Sequence, residues 1–214
     1  MEKIKIFLGA HKIFKILKWA FLILLGLFII LVIGRWIYLD KQAETDEQVI
    51  KIHNTKLTLD DVMGKNLPPD PGVLADATVQ GIDANNNGIR DDVELAVFKE
   101  YPNSAKTRAV LLQYALALQM EVIQPMVNTD IVIAVAQEEG RAYLCIGEIL
   151  IRDDDNEKIM DNYFKEADFL TEFIDNRQIN TKEREQYQKD FYKEIGSYNS
   201  LDRYCDIDYL KLSN

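Results

Sequence analysis

Between Gly81 and Glu94 the chain reads GIDANNNGIRDDVE, with Asp83, Asn85 and Asn87 at alternate positions before Gly88, and Asp91 and Glu94 after it. Carboxylate and amide oxygens set at alternate positions are hard donors, and a calcium ion gathers six to eight of them. The Ile89 carbonyl would add a neutral oxygen, Gly88 would permit the sharp turn, and Glu94 could close the far side with both carboxylate oxygens. Such chemistry needs a loop running into a helix whose first turn carries Glu94, with Asp91 and Asp92 near the positive helix end.

The register D-x-[DN]-x-[DN]-G-x5-E is complete here. On these residues the segment resembles the EF-hand-type calcium loops. Two departures refine the likeness. Arg90 stands where a paired loop usually carries an aliphatic residue facing its partner, and the entering segment DPGVLADATVQ is short and polar. The loop is therefore more similar to the solitary ones of dockerin modules and thrombospondin type 3 repeats. The resemblance spans about a dozen of the 214 residues. It implies a ligand role for Asp83, Asn85, Asn87, Ile89, Asp91 and Glu94 and leaves Asn86 as a spacer. A site with two neutral Asn ligands and no partner loop is expected to hold calcium weakly, with Kd roughly 10⁻⁵ to 10⁻³ M, as a structural ion. Two other readings stay open. The acids could merely cap a helix, or Asn87-Gly88 could form a type I′ hairpin turn.

No comparable register exists in RDDDNEK, Arg152 to Lys158, where the positions of the glycine and the closing glutamate hold Lys158 and Phe164. That cluster reads as the acidic start of a helix. Catalytic signatures are thin. Beyond the basic N-terminal head His53 is the one histidine, and GxSxG, HExxH and phosphate-binding glycine loops do not occur. A non-enzymatic protein is expected. The alternative is a hydrolase built on carboxylates in a bundle groove, with Glu138 or Glu139 paired with Glu148.

The elements around the loop read as helices. Val93, Val97 and Tyr101 share one face of a helix over Asp91–Tyr101. Asn103-Ser104 caps a second helix carrying Leu111, Ala115, Leu118 and Val122 up to Pro125. A third, Asp130 to Ile151, is apolar on most sides and is expected at the centre. A fourth, Asn156 to Asn176, carries Met160, Tyr163, Phe164, Ala167, Leu170 and Ile174. A fifth opens with Asn180 and Glu183 at capping-box spacing and continues through Tyr187, Phe191, Ile195 and Tyr198. The expectation is a mainly α fold, an α-helical bundle with the calcium loop at its start. Upstream, KQAETDEQ suggests a charged spacer, the stretch around Ile50, Ile52, Leu57 and Leu59 a small hairpin or extended lead-in, and NLPPDPG an exposed connection.

The first forty residues differ in kind. Lys3, Lys5, Lys12, Lys15 and Lys18 precede an uncharged run from Trp19 to Gly34, and Arg35 can snorkel so that the span reaches Tyr38. Trp19, Trp36 and Tyr38 suit the two interfaces. An uncleaved signal anchor is expected over 19–38, with the basic head 1–18 in the cytoplasm. A cleaved signal peptide and an amphipathic or buried helix are the alternatives. Residues 39–72 would form the linker and lead-in, and 73–214 an extracytoplasmic domain, periplasmic or at the cell surface, with the loop at 83–94.

Six of the 25 Lys/Arg and two of the 35 Asp/Glu fall in the first forty residues, leaving 19 against 33 and a net charge of −14 beyond them. Such a surface repels phosphate backbones, so nucleic acid is not an expected partner. The membrane is the expected partner, through the anchor, together with a possible protein partner. Cys145 and Cys205 either bridge or lie as independent buried thiols. Together these readings suggest a membrane-anchored, extracytoplasmic helical protein with one structural calcium, interacting or envelope-associated. The third alternative is an accessory subunit of a membrane complex.

Overall fold

The computed structural model describes the backbone of residues 2–150 and 157–213, and the side chains of 14–150 and 158–213. Among these there are seven α-helices and no strand: α1 (Glu2–Asn54), α2 (Leu59–Val62), α3 (Asp91–Glu100), α4 (Ala105–Val122), α5 (Thr129–Glu148), α6 (Glu157–Gln178) and α7 (Lys182–Phe191). Short 3-10 turns cover Gly72–Asp76, Tyr192–Glu194 and Tyr209–Lys211. The chain divides into two units, 1–47 and 48–214.

The first unit is the greater part of α1. Its stretch from Phe14 onward is long and apolar enough to cross a membrane, and none of the most apolar window is buried. Phe14, Trp19, Phe21, Leu31 and Trp36 are all more than 60% exposed. Such an uninterrupted apolar surface on one helix supports a membrane anchor. The helix does not stop where a charged spacer was expected. Lys41 to Asn54 is helical, and neither the hairpin nor an extended lead-in forms there. Ile50 and Ile52 alternate only once; Val49 and Ile52 lie three apart, as one helix face requires, and Ile52 is buried.

In the second unit α4 is the central element, in place of the expected α5. Nearly all of α4 is buried, from Arg108 to Val122 without interruption, and it packs against α2, α3, α5, α6 and α7. Its polar residues Gln113, Gln119 and Glu121 hid this role in the sequence, because each is buried with a hydrogen-bond partner instead of facing water. The β-rich IVIAV stretch is the first turns of α5, with Ile131, Val132 and Val135 in the core.

Caps set the boundaries. Ser104 Oγ accepts the Thr107 N–H at the start of α4, and Asn128 Oδ1 accepts the Ile131 N–H at the start of α5. For α7 the cap is Thr181, which accepts from Arg184, one residue beyond the expected Asn180. Asn180 instead donates to Asp76. The expected stripe of α6 is buried only from Ala167 through Leu170 to Ile174, and Phe164 is 53% exposed. Ile195 and Tyr198 lie beyond α7 and are exposed, because the helix ends at Phe191. Residues 151–156, and with them most of the acidic cluster and the start expected for α6 at Asn156, lie outside the described residues.

Cys145 on α5 and Cys205 form a disulfide that fastens the C-terminal segment to the bundle. Asp206, the next residue, forms an ion pair with Arg141 (2.8 Å) and accepts the Leu57 N–H (3.0 Å).

Candidate metal site

The loop is built by its own side chains. Asp83 accepts the N–H groups of Asn87 (3.1 Å) and Gly88 (2.9 Å), and Asn87 Oδ1 accepts that of Ile89 (2.9 Å). These short-range bonds coil 83–89 into a tight turn. Gly88 has φ 84°, and a Cβ there would come 2.7 Å from Leu116 Cδ1 of α4. Glycine is therefore required both by the backbone and by the close approach to the core. Asn86 is exposed with φ 56°, the left-handed region that asparagine tolerates, so it is a spacer in this turn.

The acids after the turn fold back onto it. Asp91 is fully buried and accepts the Ala84 N–H at 3.0 Å, while its own N–H donates to Ile82 (2.9 Å). Glu94, 1% exposed in the first turn of α3, accepts from Asn85 Nδ2 at 3.0 Å. Asn87 Nδ2 is buried without a hydrogen-bond partner. Burial pushes the Glu94 carboxyl up to about 7, with Asp61 and Asp91 adding repulsion. Burial also raises Asp91, with Asp83 and Asp92 contributing.

The helix-capping alternative describes these acids poorly. Arg90 is the N-cap of α3 and makes no side-chain cap bond; Asp91 turns to the loop, and Asp92 binds Arg90. The hairpin has no strands on either side of Asn87-Gly88 among the described residues. Hydrogen bonds thus link Asp83, Asn85, Asn87 and Glu94, Asp91 is tied to the same loop through the Ala84 N–H, and Ile89 anchors the turn with a fully buried side chain.

The donor set suits calcium chemically, since it is all oxygen and mixes carboxylates with amides. Among the described residues no three His, Cys, Asp or Glu side chains converge as a metal-holding group. A cation in this loop would therefore depend on Asn85, Asn87 and backbone oxygen as much as on the acids.

Arg90 explains the unusual position within the loop. Its side chain is completely buried, donates to both Asp92 oxygens and to the Gln178 carbonyl at 3.1 Å, and reaches Asp76 at 3.9 Å. Asp76 is shared with Arg184, itself 3% exposed, whose guanidinium also takes the carbonyls of Ala75, Thr78 and Val79. Hydrogen bonds from Asn180 and Arg184 hold the Asp76 carboxyl below its usual range. The surface a paired loop would offer to its neighbour is filled here by the chain's own interior.

Two further charged clusters gave no local motif in the sequence. Glu138, 1% exposed, is met by His53 (2.9 Å), Lys56 (2.8 Å) and Arg141 (2.6 Å). Burial works to raise its carboxyl, but these partners together hold it below the usual range. Glu148, offered by the hydrolase alternative as a partner for Glu138 or Glu139, accepts from Tyr209 (3.0 Å). The carboxylate that faces Glu139 is Glu121, and the Tyr192 hydroxyl lies within reach of both. Only the i, i+1 neighbours Glu138 and Glu139 hinted at two differently treated acids.

Compared with protein-family models, with curated proteins and with solved structures, the chain matches none.

Proposed function

We propose that this is a single-pass membrane protein whose helical domain lies outside the cytoplasm and is locked at its entry by one structural calcium ion. The carrying observation is the loop itself. Asp83, Asn85, Asn87, Asp91 and Glu94 are gathered within twelve residues, with Glu94 buried and facing Asn85. These side chains and the Ile89 carbonyl would hold the ion. Asn85 donates its amide nitrogen to Glu94, so ligation asks a half-turn of that amide to present oxygen. Neutralising Asp91 and Glu94 where burial opposes their charge is what the ion would contribute to stability.

The basic head before the apolar span supports a cytoplasmic N-terminus. The Cys145–Cys205 disulfide suits an oxidising compartment on the other side, where millimolar calcium is common. Exposed Phe169, Phe164 and Leu210 support an interacting or envelope-associated role. The carboxylate-hydrolase alternative has Glu121 and Glu139 as its pair. The phenol of Tyr192 fills the space between them, where a water or leaving group would have to stand, which supports the non-enzymatic reading.

Calorimetry on the full chain in non-ionic micelles tests the site. One calcium should bind with Kd roughly 10⁻⁵ to 10⁻³ M. At 5 mM calcium and a Kd near 10⁻⁴ M, stabilisation is about 2 kcal/mol, a rise in Tm of about 5 °C. Absence of both the heat and the shift would refute the reading.

A further inference from the structure

A cavity of about 460 Å³ opens beside α5, away from the loop, and Tyr114, Glu139, Tyr143, Tyr192, Ile195 and Tyr198 line it. Tyr143, Ile195 and Tyr198 form an accessible rim, each between 43% and 45% exposed. Deeper in, the Tyr192 hydroxyl lies 3.2 Å from Glu121 Oε1 and hydrogen-bonds Glu139 Oε2, while Tyr114 donates to Asp175 at 3.0 Å. Gln188 also donates to Glu121.

Two other buried acids are met by cations: Glu138 by Lys56 and Arg141, with His53 also at 2.9 Å, and Asp206 by Arg141. At this cavity Glu121 is repelled by Glu139 and Asp175, Glu139 by Asp175, and Asp175 by Glu172. The Tyr192 hydroxyl has one proton and faces two carboxyls, so at most one of them is satisfied as an anion by that donor. The site therefore combines tyrosine walls, an open rim and three acids crowded on one another, an arrangement in which an incoming cation would favour their ionised form.

We propose that this cavity binds a small organic cation, its ammonium head on Glu139 and its aliphatic part against the tyrosine rings. An alkylammonium donates hydrogen bonds to carboxylate, is attracted to aromatic faces and buries its chain on apolar surface. A metal ion is the poorer match, because tyrosine rings stand where it would need further oxygens. The volume of about 460 Å³ accepts a butylammonium or a lysine-like head with room to spare.

Butylammonium chloride, titrated calorimetrically into the full chain in non-ionic micelles at constant chloride, is the probe, with 1-butanol and calcium chloride as controls. Saturable one-to-one binding is expected, weakened at least tenfold by Glu139→Gln and several-fold by Tyr143→Ala, and unchanged by Asp83→Asn in the calcium loop. Glu139→Gln keeps the shape of the protonated acid and should melt no lower than the parent; if it does not fold, the Tyr143→Ala titration decides. Absence of saturable binding, equal binding of butanol, or affinity indifferent to both cavity variants would overturn the proposal. Displacement of butylammonium by calcium in the Asp83→Asn protein would overturn the organic class and assign a metal.

Discussion

At Gly88 a methyl group would meet Leu116 and demand a left-handed backbone at the same time. Gly88→Ala is therefore expected to lower stability by about 2 kcal/mol and to weaken calcium binding, read by thermal melting with and without the ion. Arg90 makes a different demand. Truncating it leaves Asp92 and the Gln178 carbonyl without their buried donor. Arg90→Ala should cost about 3 kcal/mol, while the double change Arg90→Met with Asp92→Asn should recover much of that loss. The two residues also differ in how legible they were. Gly88 and the polar side chains of the loop declare themselves by spacing, because the bonds they make within the turn are local and the backbone imposes the register. Arg90 looked only like a departure, because its partners Asp76 and Gln178 are distant in sequence and brought near by folding.

Elements were legible where one face alternates with solvent and obscure where it does not. α3 and α7 announced their starts within a residue or two. α4, buried all round, has no solvent face to mark it, and its glutamines and Glu121 disguised a core helix as an amphipathic one. The lead-in through Asn54 was misread because two isoleucines are too few to distinguish a period of two from one of 3.6. At this scale the C-terminal segment supplies the clearest prediction. It has little secondary structure and is held by the disulfide, by Asp206 on Arg141, and by the Gln113 amide on the Tyr204 carbonyl (2.7 Å). Cys205→Ser should lower stability by about 4 kcal/mol through the loop of 60 residues it releases, and should expose Arg141, so that the tail becomes protease-sensitive ahead of the bundle. A tail equally resistant with and without the bridge would contradict this.

Across the whole domain the shifted acids fall into two classes with opposite pH behaviour. Burial pushes Glu121 up to about 8, with Glu139 adding repulsion, and burial raises Glu139 and Asp175. An acid whose folded value is raised contributes fully below its ordinary value, 4.5 for Glu121, and loses that contribution as pH climbs toward its folded value. Buried Glu138 and the exposed, arginine-paired Asp76 are lowered, so their contribution is present above the ordinary range and lost as pH falls. Stability should therefore peak near pH 5 and decline toward pH 8 by the order of a few kcal/mol. Glu121→Gln should flatten that decline, as Tm measured across the range would show. The net charge of −14 beyond the anchor was plain in the composition, but which acids are buried, and whether a cation meets them, is decided by three-dimensional neighbours alone.

The burial of Arg90 also governs how the loop would respond to changing calcium. Paired loops share a strand-like contact and can fill together, converting a small rise in ion into an abrupt change. A loop whose contact edge is committed to Gln178 and Asp76 has no second loop to recruit. Its occupancy would follow a simple hyperbola with a Hill coefficient of 1, taking about two decades of concentration to pass from a tenth to nine-tenths filled. Such a curve grades its filling smoothly with the mineral content of the surroundings.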